Sequence, residues 1–471
     1  MIRWLLLLHR YLGIGVGLLM VMWCLSGVVM MYVSYPALPE ASRVRQLAPI
    51  AWDECCNVPQ ILRTDRGPLA GAQIEMLAGR PALYLEDQTH PIDLLLGSFV
   101  SGISAPQAAE IAKTYLGTAA SNAEPRLLGL IDHDQWTVSG EFRRHRPLYL
   151  FALGDAAGTQ LYVSSVSGRA VQITTSRERF WNWLGAVPHW LYFSELRRNG
   201  WLWSQVVIYT SLLGCFLAAI GIYLGVRQAL MQPRGRWSPY SGFNLWHHMA
   251  GLIFGIFALT WVASGLLSMN PWGWLEGRGA DAESAKIHGR TLSTADLGEA
   301  LQRITEARPA AVALTAAPLN DRLFFIAHTS SGAPSRLDAA GSPAALNGAD
   351  LSLLARASGD IAQGTGPELL QHEDDFYFSH HERVAFPVYR LITATGTRYY
   401  FDSVSGMLVA KQDSQARAYR WLHQGLHRLD FAPALRSRPR WDALMLFLMA
   451  GVTVVCVTGA YLGYRRLIRN V

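Results

Sequence analysis

The sequence is poor in charge and in cysteine. Only 16% of its 471 residues are charged while 51% are hydrophobic and 16 are tryptophan, a balance too apolar for a soluble chain of this length. Five cysteines are few. Cys24, Cys215 and Cys456 fall in apolar runs, where small thiols are ordinary packing residues. Cys55-Cys56, within Trp52-Asp53-Glu54-Cys55-Cys56, is a vicinal pair open to three readings: a disulfide, a metal contact or a redox pair. No flavin or nicotinamide fingerprint is present, and no acidic residue interrupts the apolar runs, which argues against an ion or proton path through them. No A-x-A cleavage site follows the first run, which is about twice the length of a signal h-region.

Four long apolar runs are present instead: Trp4 to Val33, Trp203 to Val226, Leu245 to Met269 and Ala443 to Tyr464. Each suffices to cross a hydrocarbon core about 30 Å thick, which takes about 20 helical residues. The connector between the second and third runs carries Arg227, Arg234 and Arg236 without an acidic residue, and the C-terminal tail carries Arg465, Arg466 and Arg469. By the positive-inside rule both termini and the connector are cytoplasmic. The predicted order is a span over 1–33, an outer domain over 34–202, a span over 203–226, a connector over 227–243, a span over 244–269, a second outer domain over 270–441, a span over 442–464 and a tail over 465–471. The expected home is the inner membrane of a bacterium, with the lipid bilayer as a partner and the outer domains in the periplasm. The net charge of +6 reflects this orientation and needs no nucleic-acid partner.

Three separated motifs recur at one offset of 238 residues. His9-x3-Gly13-x3-Gly17-x5-Trp23-x2-Ser26-Gly27 returns as His247-x3-Gly251-x3-Gly255-x5-Trp261-x2-Ser264-Gly265. Gly158-Thr159-x2-Tyr162-x2-Ser165-Val166-Ser167-Gly168 returns from Gly396 to Gly406, and reads as two strands joined by a Ser-Gly turn. Trp183-Leu184-x4-His189-x-Leu191-x-Phe193 returns from Trp421 to Phe431, and the second and fourth spans each end in Gly-x-Tyr-Leu-Gly. The fold class that follows is a membrane α-helical protein: a four-span bundle from two tandem repeats, each with a periplasmic α+β domain. Within the first domain a helix is predicted from Ala105 to Tyr115, with strands around Trp136 to Val138, Leu148 to Leu153 and Gln160 to Val163. Asp134-x-Trp136 is echoed by Asp374-x-Phe376.

Six of the 14 histidines sit at the ends of spans: His9, His247 and His248 toward the inside, His189, His423 and His427 toward the outside. A pseudo-two-fold axis along the membrane normal sets His9 opposite His247 and His189 opposite His427. Two imidazoles facing each other within a helical bundle suit a haem gripped from both sides. Zinc normally needs four ligands, and no cysteine or carboxylate lies beside His9 or His247. Glycines four and eight residues after each inner histidine let a flat macrocycle or another helix approach, helix packing being their ordinary use. Arg10 and His248 are secondary candidates for pairing with haem propionates, or simply anchor the helix in the head groups. His423, one turn before His427, is a secondary candidate for the outer ligand. Trp23 and Trp261 lie about 21 Å above the inner histidines by helical rise, where core packing is their ordinary role. His372 and His380-His381 are weak candidates for a contact to metal or substrate.

This ensemble resembles the PepSY-associated transmembrane family over nearly the whole chain. The resemblance rests on the histidine-led first span, Asp-x-aromatic, the terminal strand pair and the histidine before each returning span. It implies PepSY-like outer domains and two haems b ligated by His9, His189, His247 and His427. It further implies an inner-membrane reductase delivering electrons to a periplasmic ferric siderophore. Because no flavin or nicotinamide fingerprint is present and the connector is too short for a domain, the expected donor is another protein or a quinol. The extra His248, His423 and Cys55-Cys56 depart from the family pattern. Two rival readings are a non-redox scaffold whose outer domains bind a peptide or protease, and an accessory subunit of a metal-chelate transporter.

Overall fold

A computed structural model describes residues 2–53, 55–57, 62, 67–116, 124–233, 235–277, 279–359, 366–379 and 384–469. The chain forms two compact units, one from residues 1–35, 178–277 and 414–471, the other from 36–177 and 278–413.

The first unit is helical. Four helices are long and apolar enough to cross a membrane: α1 (Ile2–Met30), α2 (Gly200–Leu230), α3 (Gly242–Ser268) and α4 (Arg440–Arg469). At 1.5 Å per residue each is about 40–46 Å long, more than a hydrocarbon core requires. The side chain of Asn199 accepts a hydrogen bond from the Leu202 N–H, capping α2. Each entering helix, α1 or α3, packs against both returning helices, α2 and α4. Val16, Met20, Cys24, Ala258, Val262, Val452 and Cys456 meet at the centre. The glycines eight residues after the inner histidines turn out to be packing positions: a Cβ on Gly17 lies 3.9 Å from Ala460 of α4, and one on Gly255 lies 3.1 Å from Ile222 of α2. Gly13 is in ordinary contact with Leu217, and Gly251 faces open space.

The second unit is α+β, and it corrects the expectation of two separate outer domains. One seven-stranded sheet runs through both repeats. The first repeat supplies β1 (Ala72–Leu77), β2 (Arg80–Leu85), β3 (Ile92–Asp93) and β4 (Ser98–Phe99). The second supplies β9 (Ala313–Leu319), β10 (Arg322–His328) and β11 (Ser335–Asp338), in the order β11-β10-β9-β1-β2-β3-β4. The hairpins β1–β2 and β9–β10 close through two-residue turns, Ala78-Gly79 and Asn320-Asp321, all four residues having positive φ as such turns require. Superposing the hairpins makes Thr315 the counterpart of Gln73, and these two residues pair directly in the antiparallel register of β1 with β9. The local two-fold axis therefore passes through the middle of the sheet.

Strand alternation gives the sheet two buried faces. Ile74, Leu83, Leu314 and Phe325 pack against Leu297, Leu301 and Ile304 of the helix Thr294–Ala307. On the other face each repeat adds a helix, Ala105–Lys113 or Gly348–Ser358, and a four-stranded antiparallel sheet. These sheets are β5 (Arg126–Ile131), β6 (Leu148–Ala152), β7 (Gln160–Ser164) and β8 (Ala170–Thr174), and β12 (Glu368–Leu370), β13 (Val388–Ile392), β14 (Arg398–Asp402) and β15 (Leu408–Gln412). The predicted Ser-Gly turns join β7 to β8 and β14 to β15, with φ of +71° at Gly168 and +75° at Gly406. The helix predicted from Ala105 is present, and Ser104 N–H donates to the Gln107 side chain at its start. The strand expected over Trp136 to Val138 is a turn. The Asp134 carboxylate accepts from Trp136 N–H and from the hydroxyl of buried Tyr162, as Asp374 does from Phe376 N–H and Tyr400. The Asp-x-aromatic motif is thus a structural staple. The division into units also moves a boundary, since residues 178–199 and 414–439, expected to belong to the outer domains, cluster with the helices.

Candidate functional site

Two histidine pairs form inside the helical unit. The rings of His9 and His247 have centres 6.2 Å apart, and those of His189 and His427 are 6.1 Å apart. His9 and His247 project from α1 and α3 toward the returning helix of their own repeat. Nδ1 of His9 lies 3.2 Å from the Leu217 carbonyl oxygen, and Nδ1 of His247 lies 3.1 Å from that of Val455, its repeat counterpart. Both rings rest on a glycine. A Cβ on Gly221 is 2.7 Å from His9 Cε1 and one on Gly459 is 2.9 Å from His247 Cε1, so a side chain at either position displaces the ring. The opening glycine of Gly-x-Tyr-Leu-Gly has thereby a role that the repeat marked without explaining.

The second pair comes from the segments that precede α2 and α4. His189 ends the short helix Ala186–His189, and His427 lies in Leu426–Arg428, just after a π-helical turn over Arg420–Gly425. Two residues beyond each histidine the chain turns left-handed at a leucine, Leu191 with φ 52° and Leu429 with φ 55°. That conformation is costly for a branched side chain, and it ends each helix within one residue of its histidine. Nδ1 of His189 lies 3.1 Å from both the Trp23 carbonyl oxygen and Ser26 Oγ. Nδ1 of His427 lies 3.0 Å from Ser264 Oγ. The Trp-x2-Ser motif of α1 and α3 is therefore the seat of the second pair, a role sequence reasoning missed although the spacing displayed it.

Carbonyl oxygens only accept, so the Nδ1 atoms of His9, His247 and His189 carry the hydrogen and the lone pair sits on Nε2. This is how metal-ligating histidines are commonly oriented. A metal gripped between two imidazoles at about 2 Å from each nitrogen, with about 1 Å more to each ring centre, sets the ring centres about 6 Å apart. Both pairs fit that value. Among the described residues no group of three or more His, Cys, Asp or Glu side chains is placed to hold a metal ion. The donor sets are pairs, and pairs suit haem.

The secondary candidates separate. His248 is accounted for structurally, because Nε2 meets the Gly225 carbonyl at 3.0 Å and Nδ1 meets Ser238 Oγ at 2.9 Å. With both nitrogens engaged it ties the connector to α2 and has no lone pair left to ligate. Arg10 is exposed. His423 stays close to the second pair, its ring centre 5.6 Å from that of His427 and its Nδ1 bonded to the Ser264 carbonyl. Trp23 and Trp261 pack in the bundle core, and the indole N–H of each has no hydrogen-bond partner among the described residues. Cys24 and Cys456 are buried core residues, whereas Cys55 and Cys56, in the α+β unit, are joined as a vicinal disulfide. His372 is exposed, and His380-His381 lie outside the described residues.

The model of the PepSY-associated TM region matches residues 6–466. The chain belongs to this family. No curated protein matches it. With four apolar helices, this member of the PepSY-associated family is a multi-pass membrane protein.

Proposed function

We propose that the protein is a di-haem b oxidoreductase that passes electrons across the bacterial inner membrane to a periplasmic ferric siderophore and so releases its iron. The observation that carries this reading is the duplicated histidine pair, with ring centres 6.2 and 6.1 Å apart and hydrogen-bonded Nδ1 atoms. His9 with His247 would hold one haem and His189 with His427 the other. When bound, haem b supplies reversible one-electron exchange. The chain's own part is to hold the imidazoles in one tautomer, keep water out with the apolar core between the pairs, and set the spacing. From His9 to Trp23, whose carbonyl receives His189, the helical rise is about 21 Å. Two sites thus divide a span that one site cannot cover.

By the positive-inside rule the arginines of the connector and tail support cytoplasmic termini and a periplasmic α+β unit. The donor is then a quinol or another cytoplasmic protein. One electron converts the chelated Fe(III) to Fe(II), a softer ion that hard oxygen ligands hold less well. The test is the absorption spectrum of the purified protein. A b-type spectrum is expected, with about half the haem retained in His9→Ala and in His427→Ala. A colourless protein after expression with haem precursor overturns the reading, as does full haem retention in the double variant.

A further inference from the structure

The α+β unit holds a cleft of about 300 Å³, at the lower end of the range for small-molecule sites. It opens beside the local two-fold axis, and both repeats wall it: Tyr84, Arg144, His145 and Arg169 from the first, His288 and Thr315 from the second. One of its basic groups is held in place. Arg169 donates to Glu75 at 3.0 Å and to Gln73 at 2.6 Å, and its guanidinium lies 3.8 Å above the Tyr84 ring. Arg144 is exposed and has no acidic partner among the described residues, and its Nε approaches His145 Nε2 at 3.4 Å. Burial first, then Arg144, Arg169 and Arg43, push the His145 imidazole down to about 4. One carboxylate, Glu86, also lines the cleft and is exposed.

We infer that this cleft binds a small organic carboxylate, whose oxygens take the two Nη groups of Arg144. Guanidinium geometry matches a carboxylate in a bidentate way. The cleft is larger than an inorganic anion needs, and Pro318 and Met407 in its wall suit a carbon skeleton. The site uses neither histidine pair, so it stands whether or not the redox reading does.

The experiment is calorimetric titration of citrate into the full-length protein in detergent micelles, with potassium chloride at matched ionic strength as reference. Saturable binding is expected, weakened about tenfold or more in Arg144→Gln and tightened in Glu86→Gln. Both residues are exposed, so both variants are expected to keep the parent melting temperature, which is measured alongside. Absence of saturable heat up to about 10 mM citrate, or equal affinity in parent and Arg144→Gln, overturns the inference. Saturation by inorganic phosphate but not by citrate overturns it as well.

Discussion

Asp134 and Asp374 stand two residues before an aromatic in each repeat and close the same turn. At Asp374 burial raises the carboxyl, but the Phe376 N–H, Arg390, Tyr400 and the Tyr377 N–H together outweigh it and leave the group below its ordinary value of 3.8. A carboxyl depressed in the folded state contributes its full stabilisation above the unfolded value and loses it as pH falls through the folded one. The melting temperature of the parent is therefore expected to fall between about pH 5 and pH 2, and Asp374→Asn to fall less over that window. The variant is also expected to melt lower at pH 7, by the equivalent of about 1–3 kcal/mol, since it removes a charged partner from Arg390 and Tyr400. Equal acid sensitivity in the two proteins counts against this role for Asp374. The Asp-x-aromatic motif was legible in the sequence, but its use was not. Apolar residues alternate across Trp136 to Val138, and alternation reads as a strand unless the carboxylate is recognised as the turn's hydrogen-bond acceptor.

Among elements, the glycines of the returning helices separate a seat for a histidine ring from ordinary packing. Gly221 abuts the His9 ring, whereas a Cβ on Gly225 lies 3.6 Å from Leu252, a normal contact. Gly221→Ala is expected to push His9 out of line, costing about 1–3 kcal/mol of stability and roughly half of any bound haem. Gly225→Ala is expected to leave both close to the parent. Thermal melting and haem content per chain separate the two, and equal behaviour of the variants counts against that seat. The helices themselves were readable from hydropathy, because a membrane span needs length and apolarity and little else. So was the pairing of the histidines, since a constant offset fixes which residues face each other. The seats of the second pair were on view as Trp-x2-Ser and His-x-Leu, yet a serine or leucine announces no chemistry until the carbonyl beside it and the left-handed turn are seen. The extra His248 misled for the opposite reason: a residue type rich in chemistry is spent on a clasp between the connector and α2.

For the molecule as a whole, the shared sheet is what the 238-residue offset concealed. The two hairpins turn through unlike residues, Ala78-Gly79 and Asn320-Asp321, and lie off the common offset, so no motif search links them. Neither repeat completes the sheet alone. Splitting the chain in the connector between Pro233 and Ser238 and expressing the halves together is expected to give a complex that co-purifies through detergent. Either half alone is expected to aggregate, because its hairpin keeps a free edge. A half that remains soluble and monodisperse contradicts this dependence. The pairing of Gln73 with Thr315 also sets a schedule for biosynthesis. At about 5–20 residues per second, the roughly 240 residues between these partners keep β1 waiting on the order of 10–50 s after it leaves the ribosome. For that interval the edge of β1 that β9 will cover has an unmatched row of amides and carbonyls, until the second half of the chain arrives.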